Sequence, residues 1–214
     1  FPVNEINRQI SEIAIVEAGL RASSNHFDGI FINTVGDYGL SSLRSALTIP
    51  VVGAGQASMY TAMQLGKKFS IVSIWPTKLK FIYENLLNLY KISDQCVSIR
   101  CISDDDELES LSEKNNFVTD MREGEKTQQE RIISQCMKAI DIDKADTILL
   151  GCTCMSPIAS KIAEKISVPI LNPMTVGYKY LELMLSLNIT HSKKEYPSDG
   201  EVGLEQFSAM TKSF

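Results

Sequence analysis

Two matching stretches of sequence decide the fold: DGIFINT at residues 28–34 and DTILLGC at residues 146–152. Each opens on an aspartate, continues as an apolar, β-branched run and is followed by a helical pattern. A short run that opens on a β-branched residue and a proline comes next, IPVVG at 49–53 and VPILN at 168–172. Apolar runs without alternation are typical of parallel strands that helices cover on both faces. The repeat therefore predicts an α/β fold of two pseudo-symmetric lobes, each an open, mainly parallel sheet flanked by helices.

The rest of the chain fits the same alternation of strands and helices. Two further β-rich runs, FSIVSIW at 69–75 and VSIRCI at 97–102, lie between the repeats. The predicted lobes comprise residues 1–64 with 174–214, and residues 65–173. Ahead of the first repeat the sequence predicts an amphipathic helix. This helix runs from Glu5 to Ala22, and its apolar face carries Ile6, Ile10, Ile13 and Leu20.

Composition narrows the class of function. Of the 214 residues, 44% are hydrophobic and 22% are charged, which is the balance of a globular protein. No apolar run reaches the roughly 18 to 20 residues that a membrane span needs. A net charge of -5, with no basic run longer than two residues, argues against nucleic acid or an anionic membrane as partner and favours a small molecule. Five cysteines, without the spacing of a disulfide framework or of paired zinc ligands, indicate reduced thiols and a cytoplasmic protein.

The repeat also pairs two residues that can carry chemistry. Thr34 and Cys152 each lie six positions after the opening aspartate, at the carboxyl end of a predicted strand. Open α/β sheets bind ligands at the carboxyl ends of their strands, so the two residues are predicted to flank one pocket in the cleft between the lobes. The alternative is that any two βαβ units look alike, and that Cys152 is a small buried core residue.

The turns after the strands supply backbone amides. In CTCMSP at 152–157, Ser156 is the predicted N-cap and Pro157 the first-turn residue of a helix. A thiol beside free amides at a helix start has a pKa lowered from about 8.5 toward neutrality, so Cys152 is the thiol predicted to react first. In GAGQAS at 53–58, the amides are suited to holding a carboxylate or imide oxygen.

Three motifs give the chain a family resemblance: NTVGDYGL at 33–40, IPVVG at 49–53 leading through Gln56 into a helix, and LLGCT at 149–153. With these motifs in order, the chain resembles the aspartate/glutamate racemase superfamily, and within it the hydantoin and allantoin racemase branch. The similarity in order and spacing extends from about Glu5 to Leu187. The strand and asparagine-rich loop that open members of this family have no counterpart in these residues, so the expectation is either that the sequence is truncated at its start or that the first lobe has lost an edge strand and part of its pocket.

The resemblance implies a cofactor-free enzyme that moves the proton on a carbon next to a carbonyl, with two cysteines on opposite faces of the substrate. Cys152 matches the second cysteine, whereas Thr34 stands at the position of the first. The prediction is a racemase or epimerase of an amino acid or amino-acid derivative, of the aspartate/glutamate or 5-substituted hydantoin type. No metal is expected, and the family's habit implies a homo-oligomer. The predicted substrate contacts, to a molecule with a carboxylate or an imide, are Asn33, Val35, Gly53, Gly55, Gln56, Thr153 and Cys154.

Two other functions stay open because a thiol and a hydroxyl are unequal partners. The hydroxyl of Thr34 is too weakly acidic to ionise at neutral pH, so a racemase that depends on it would be slow in both directions. A decarboxylase of a malonate-type acid needs only Cys152 as proton donor. An inactive homologue that binds a small molecule without turnover is the third possibility.

Overall fold

The structure is a computed structural model, and it describes residues 2–112, 116–197 and 204–211. The strands, in chain order, are β1 (Ile30–Ile32), β2 (Val51–Gly53), β3 (Phe69–Ser73), β4 (Cys96–Cys101), β5 (Thr147–Leu150) and β6 (Ile170–Leu171). The α-helices are α1 (Glu5–Ser23), α2 (Leu40–Ala46), α3 (Ala54–Leu65), α4 (Phe81–Leu89), α5 (Phe117–Glu123), α6 (Lys126–Asp141), α7 (Ala159–Ala163), α8 (Pro173–Ser186) and α9 (Leu204–Thr211). Short 3₁₀ segments cover Thr77–Leu79, Ser93–Gln95, Asp105–Ser112 and Thr153–Ile158.

The strands form two parallel sheets. One has two strands in the order β1-β2, and the other has four in the order β4-β3-β5-β6. Every strand pairing among the described residues is parallel, and helices connect the strands. The predicted α/β class, with open parallel sheets flanked by helices, is confirmed.

The two matching stretches of sequence pair in the same way. Strand β1 lies beside β2 with Ile30 opposite Val51, and β5 lies beside β6 with Ile148 opposite Ile170. The first contact is also the same in both pairs. The amide of Ile30 donates to the carbonyl oxygen of Pro50 at 2.9 Å, and the amide of Ile148 donates to that of Pro169 at 2.9 Å. The sequence repeat is therefore a structural repeat at the level of strands.

The main core surrounds the four-stranded sheet. The central strands β3 and β5 are buried along their whole length, and Ile71 and Leu149 have no exposed surface. Helix α8 covers the two-stranded sheet, where Leu181 packs in one cluster with Val52. The approach is close, because a Cβ on Gly177 of α8 would lie 2.5 Å from the ring of Phe31. The last part of the chain thus covers strands that form near its beginning.

The segment after α8 runs along the edge of the two-stranded sheet. Nε2 of His191 accepts a hydrogen bond from the amide of Val51 at 2.9 Å. The ammonium group of Lys193 donates to three carbonyl oxygens at the end of α2, those of Arg44, Ser45 and Leu47, at 2.8, 3.0 and 2.6 Å. Burial and the nearby Arg44 lower the pKa of His191 to about 4, so the imidazole is neutral at pH 7.

The apolar face of the first helix is exposed in its first half and buried in its second. Ile6, Ile10 and Ile13 are 70%, 58% and 38% exposed, whereas Leu20 is 8% exposed and contributes to the core. The reason lies in the packing partners. The second half of α1 packs on α2, where Gly19 lets Leu43 approach closely. In the first half, α1 is joined to α4 by a hydrogen bond between exposed side chains, in which Asn85 donates to the Glu5 carboxylate at 2.8 Å. The isoleucines of this half face solvent.

None of the helices in the described ranges is both long and apolar enough to cross a membrane.

Candidate active site

The two predicted catalytic residues occupy equivalent places in the fold. Thr34 follows the end of β1 by two residues, and Cys152 follows the end of β5 by the same distance. The Thr34 hydroxyl oxygen accepts a hydrogen bond from the amide of Gly36 at 3.2 Å, which holds the side chain against its own turn. The sulfur of Cys152 accepts one from the amide of Cys154 at 3.3 Å. Each side chain is therefore held by the turn that it opens.

The two turns meet. The hydroxyl of Thr153 donates to the backbone carbonyl of Asn33 at 3.1 Å, across 120 residues of sequence. Because Thr153 adjoins Cys152 and Asn33 adjoins Thr34, this bond joins the segments that carry the two predicted catalytic residues. The predicted contact residues Asn33 and Thr153 thus come together, through one backbone carbonyl and one hydroxyl.

The structure contains a disulfide bond between Cys152 and Cys154, with their Cα atoms 5.2 Å apart. The expectation that the cysteines are all reduced is wrong for this pair. The turn at the end of β5 brings residues two positions apart close enough to bond, and residue spacing alone did not predict it. Free thiols remain at Cys96, Cys101 and Cys136, and burial raises the pKa of each of them.

The residues after Cys152 form a 3₁₀ segment, Thr153–Ile158, and the α-helix α7 begins at Ala159, later than the sequence predicts. The predicted N-cap, Ser156, lies inside the 3₁₀ segment with Pro157, and the cap position is Cys152 itself. The hydroxyl of Ser156 instead accepts a hydrogen bond from the side-chain amide of Asn172 at 2.8 Å. The disulfide-bonded side chain of Cys152 consequently caps this segment, with its sulfur against the backbone amide of Cys154.

The amides at the start of α3 do hold a carboxylate, but it belongs to Asp37. One carboxylate oxygen accepts from the Gly55 amide at 2.9 Å, and the other accepts from the Gln56 amide at 2.6 Å and from the Tyr90 hydroxyl at 2.7 Å. Asp37 is 5% exposed, and desolvation raises its pKa to about 6 even though these three hydrogen bonds and Arg44 lower it. In this structure the amides of Gly55 and Gln56 are therefore bound within the protein.

Close contacts leave no room for a side chain at Gly53 and Gly55, and Val35 supplies the carbonyl oxygen that approaches Gly55. A Cβ on Gly55 would lie 2.2 Å from the carbonyl oxygen of Val35, and one on Gly53 would lie 2.2 Å from the Asp37 carboxylate. Val35 is 3% exposed, so its side chain belongs to the core. Glycine at 53 and 55 is thus required for Asp37 to reach the helix start.

Sequence reasoning missed Tyr83 and Ser73. The hydroxyl of Tyr83 lies 2.7 Å from the carbonyl oxygen of Gly151, the residue before Cys152, and 2.7 Å from the hydroxyl of Ser73. Tyr83 lies in an apolar helical stretch, where an aromatic residue predicts packing, and no motif marked it. The contact spans 68 residues of sequence, which no local pattern reveals.

Within residues 2–112, 116–197 and 204–211, no three His, Cys, Asp or Glu side chains are grouped in a way that could hold a metal ion.

The family model Asp/Glu/Hydantoin racemase matches residues 3–181. The chain is 28% identical over 198 residues to a hydantoin racemase from Pseudomonas sp. (strain NS671), a match that covers 90% of this chain and 74% of that one. It superposes on an allantoin racemase from Klebsiella pneumoniae with a TM-score of 0.79 at 23% identity, over 92% of this chain and 76% of that chain. An allantoin racemase from Pseudomonas fluorescens gives a TM-score of 0.69 at 27% identity, over 81% of this chain and 68% of that chain.

These matches agree with the sequence motifs and with the parallel sheets. The family model covers most of the chain, including the turns that carry Thr34 and Cys152. The chain therefore belongs to the Asp/Glu/Hydantoin racemase family, which confirms the resemblance read from the motifs and, with it, the predicted enzyme class of isomerase.

Proposed function

We propose that the protein racemises a 5-substituted hydantoin or a closely related ring, by proton transfer at the carbon next to a carbonyl. The observation that supports the proposal is the bond from Thr153 to Asn33, which joins the two turns that carry Cys152 and Thr34 at the ends of equivalent strands. Relatives that are hydantoin and allantoin racemases support a cyclic imide as the substrate class.

In the proposed reaction, the Cys152 thiolate removes the proton from the ring carbon, leaving an enolate and a thiol. The Thr34 hydroxyl delivers a proton to the opposite face, and water returns the two side chains to their starting protonation states. With Gly55 and Gln56 bound to Asp37, the proposed donor to the enolate oxygen is the backbone amide of Thr153. The equilibrium constant between enantiomers is one, so kcat/KM is equal in both directions and the weakly acidic hydroxyl slows both.

The proposed base must be a free thiol, so the active form is the one in which the Cys152–Cys154 disulfide is reduced. Dithiothreitol should therefore be present in any assay. The proposal places the enzyme in the cytoplasm, where thiols are kept reduced.

The proposed lobes are residues 1–64 with 174–214, and residues 65–173, with the substrate between them. We also infer a homo-oligomer. The exposed apolar stripe of Ile6, Ile10 and Ile13 on α1 supports self-association, since such a stripe is rarely left in water. Light scattering on a sizing column measures the oligomeric state, and a monomer at micromolar concentration would contradict this inference.

The test is to incubate the reduced protein with one enantiomer of 5-benzylhydantoin and to follow optical rotation and mass. We expect rotation to fall to zero without loss of mass, and we expect the Cys152→Ser variant to lose this activity. A Cys136→Ser variant is the control, because that thiol is buried in the core. Carbon dioxide release from a malonate-type acid, with no change in the hydantoin, would favour the decarboxylase. Ligand binding without any turnover would favour an inactive homologue.

A further inference from the structure

We propose that Tyr83 is a positioning residue, which orients Cys152 by holding the peptide that precedes it. The inference rests on the proposed role of Cys152 as the acid and base. Tyr83 is 2% exposed, and its hydroxyl donates to the carbonyl of Gly151 at 2.7 Å. That carbonyl and the amide of Cys152 belong to one planar peptide unit, so fixing the first also fixes the second.

The peptide before Gly151 is held as well. The amide of Gly151 donates to the carbonyl of Val72 at 2.8 Å, which continues the pairing of β5 with β3 by one residue. The regular ladder ends at Leu150, and the Gly151 carbonyl oxygen accepts its hydrogen bond from the Tyr83 side chain instead of from a neighbouring strand. Tyr83 thus continues the hydrogen bonding of the sheet as far as Gly151, the residue directly before Cys152.

A second hydroxyl aligns the first. Ser73 is fully buried, its oxygen accepts a hydrogen bond from the Trp75 amide at 3.0 Å, and its hydroxyl lies 2.7 Å from that of Tyr83. When the Tyr83 hydroxyl donates to the Gly151 carbonyl, the Ser73 hydroxyl can donate to the Tyr83 oxygen. Each of the two hydroxyl groups then donates one hydrogen bond and accepts one. Hydrogen bonds arranged in such a chain strengthen one another.

Gly151 is shaped for this contact. A Cβ at this position would lie 2.9 Å from the Tyr83 hydroxyl oxygen and 2.9 Å from the Ser73 Cβ, closer than any side chain tolerates. The absence of a side chain lets the two hydroxyls reach the backbone. The same peptide leads into the turn where the Cys152 sulfur accepts from the Cys154 amide. Once the disulfide is reduced, the same hydrogen bond would favour the thiolate of Cys152, and its geometry depends on the direction in which Cys152 leaves the strand.

The experiment compares Tyr83→Phe, Ser73→Ala and, as the matched control, Ser70→Ala, all in a Cys154→Ser background where Cys152 is the only thiol of its turn. Ser70 lies on the same strand, is equally buried, and binds the carbonyl of Ser98 instead. The readout is the rate of alkylation of Cys152 by iodoacetamide against pH, located by peptide mapping, with Cys101 as internal reference.

We expect the midpoint of the alkylation profile to rise by about 0.5 to 1 pH unit in Tyr83→Phe, by less in Ser73→Ala, and not at all in Ser70→Ala. In racemase assays with the natural Cys154, kcat should fall about tenfold in Tyr83→Phe with little change in KM. A lower melting temperature with an unchanged alkylation profile in both site variants would show that the hydroxyls only stabilise the fold, and would overturn the proposal.

The experiments distinguish failure of the positioning role from failure of the proposed racemase function. A shifted alkylation profile in a protein that racemises no hydantoin would support the positioning role and overturn the proposed substrate. If Tyr83→Phe does not fold, the alkylation profile of Ser73→Ala alone tests the positioning role, because that variant keeps the Tyr83 ring in the core.

Discussion

Replacing Asp37 by asparagine should change the way in which stability depends on pH. The carboxyl group is buried, and its pKa is raised from 3.8 to about 6, chiefly by desolvation. A shift of this size corresponds to about 3 kcal/mol, because each pKa unit is worth about 1.4 kcal/mol. The raised pKa means that the folded protein binds the proton more tightly than the unfolded chain does. Its stabilising contribution is therefore complete below pH 3.8 and is lost as the pH rises through about 6.

Asparagine does not titrate, so the variant lacks this contribution at every pH. Its single carbonyl oxygen also cannot replace both carboxylate oxygens, and one of the amides of Gly55 and Gln56 loses its acceptor at a cost of about 1 to 3 kcal/mol. At pH 4.5 we expect the variant to be clearly less stable than the wild type. At pH 7.5 the wild type bears the cost of a buried charge, and the two proteins should be close in stability.

Urea unfolding from pH 4.5 to 7.5 measures the free energy of both proteins, and their difference removes the contribution of groups that titrate alike in both. The difference should change by about 2 kcal/mol in favour of the variant between pH 4.5 and 7.5, because part of the full contribution of about 3 kcal/mol is already lost between pH 3.8 and 4.5. Asp94→Asn, at an exposed carboxylate, is the matched control and should give a flat difference. A flat difference for Asp37→Asn would refute the reasoning that burial dominates at this carboxyl.

Three further predictions concern other residues. Diamide, which oxidises neighbouring thiols to disulfides, should inactivate the wild type reversibly and leave Cys154→Ser unaffected; equal loss of activity in both would show that the Cys152–Cys154 bond is not the cause. Thr34→Cys should speed exchange of the substrate ring proton in heavy water, since the second face gains a group that ionises near neutrality, and an unchanged rate would point to another base. Lowering the pH from 6.5 toward 4 should reduce the free energy of unfolding, because the pKa of His191 is lowered to about 4 in the folded protein. The His191→Gln variant should lose less of this free energy over the same range. An identical loss in both proteins would show that His191 is not the cause.

The features that the sequence predicted are those that depend on residues close together in the sequence. The apolar runs of β1 and β5 and their pairing with β2 and β6 follow from local patterns that recur in both repeats. The family also followed from motifs, of which one contains β2 and the other two include the turns that follow β1 and β5.

Contacts between distant elements were not predicted. The bond from Tyr90 to Asp37 spans 53 residues, and that from Tyr83 to Gly151 spans 68. The periodicity of α1 identified an apolar face, but a helical pattern does not say which neighbour will cover which side. Leu20 of that face is buried, whereas Ile6, Ile10 and Ile13 are exposed.

The covering of β1 and β2 by α8 has a consequence for synthesis on the ribosome. The strands of the four-stranded sheet all lie between Phe69 and Leu171, so they can pair as soon as that stretch has left the exit tunnel. The two-stranded sheet is made earlier, yet the face that Leu181 closes stays open until α8 emerges. The four-stranded sheet can therefore be complete before the two-stranded sheet is covered. A translation stop inside α8 would leave β1 and β2, with the turn that carries Thr34, without their covering helix.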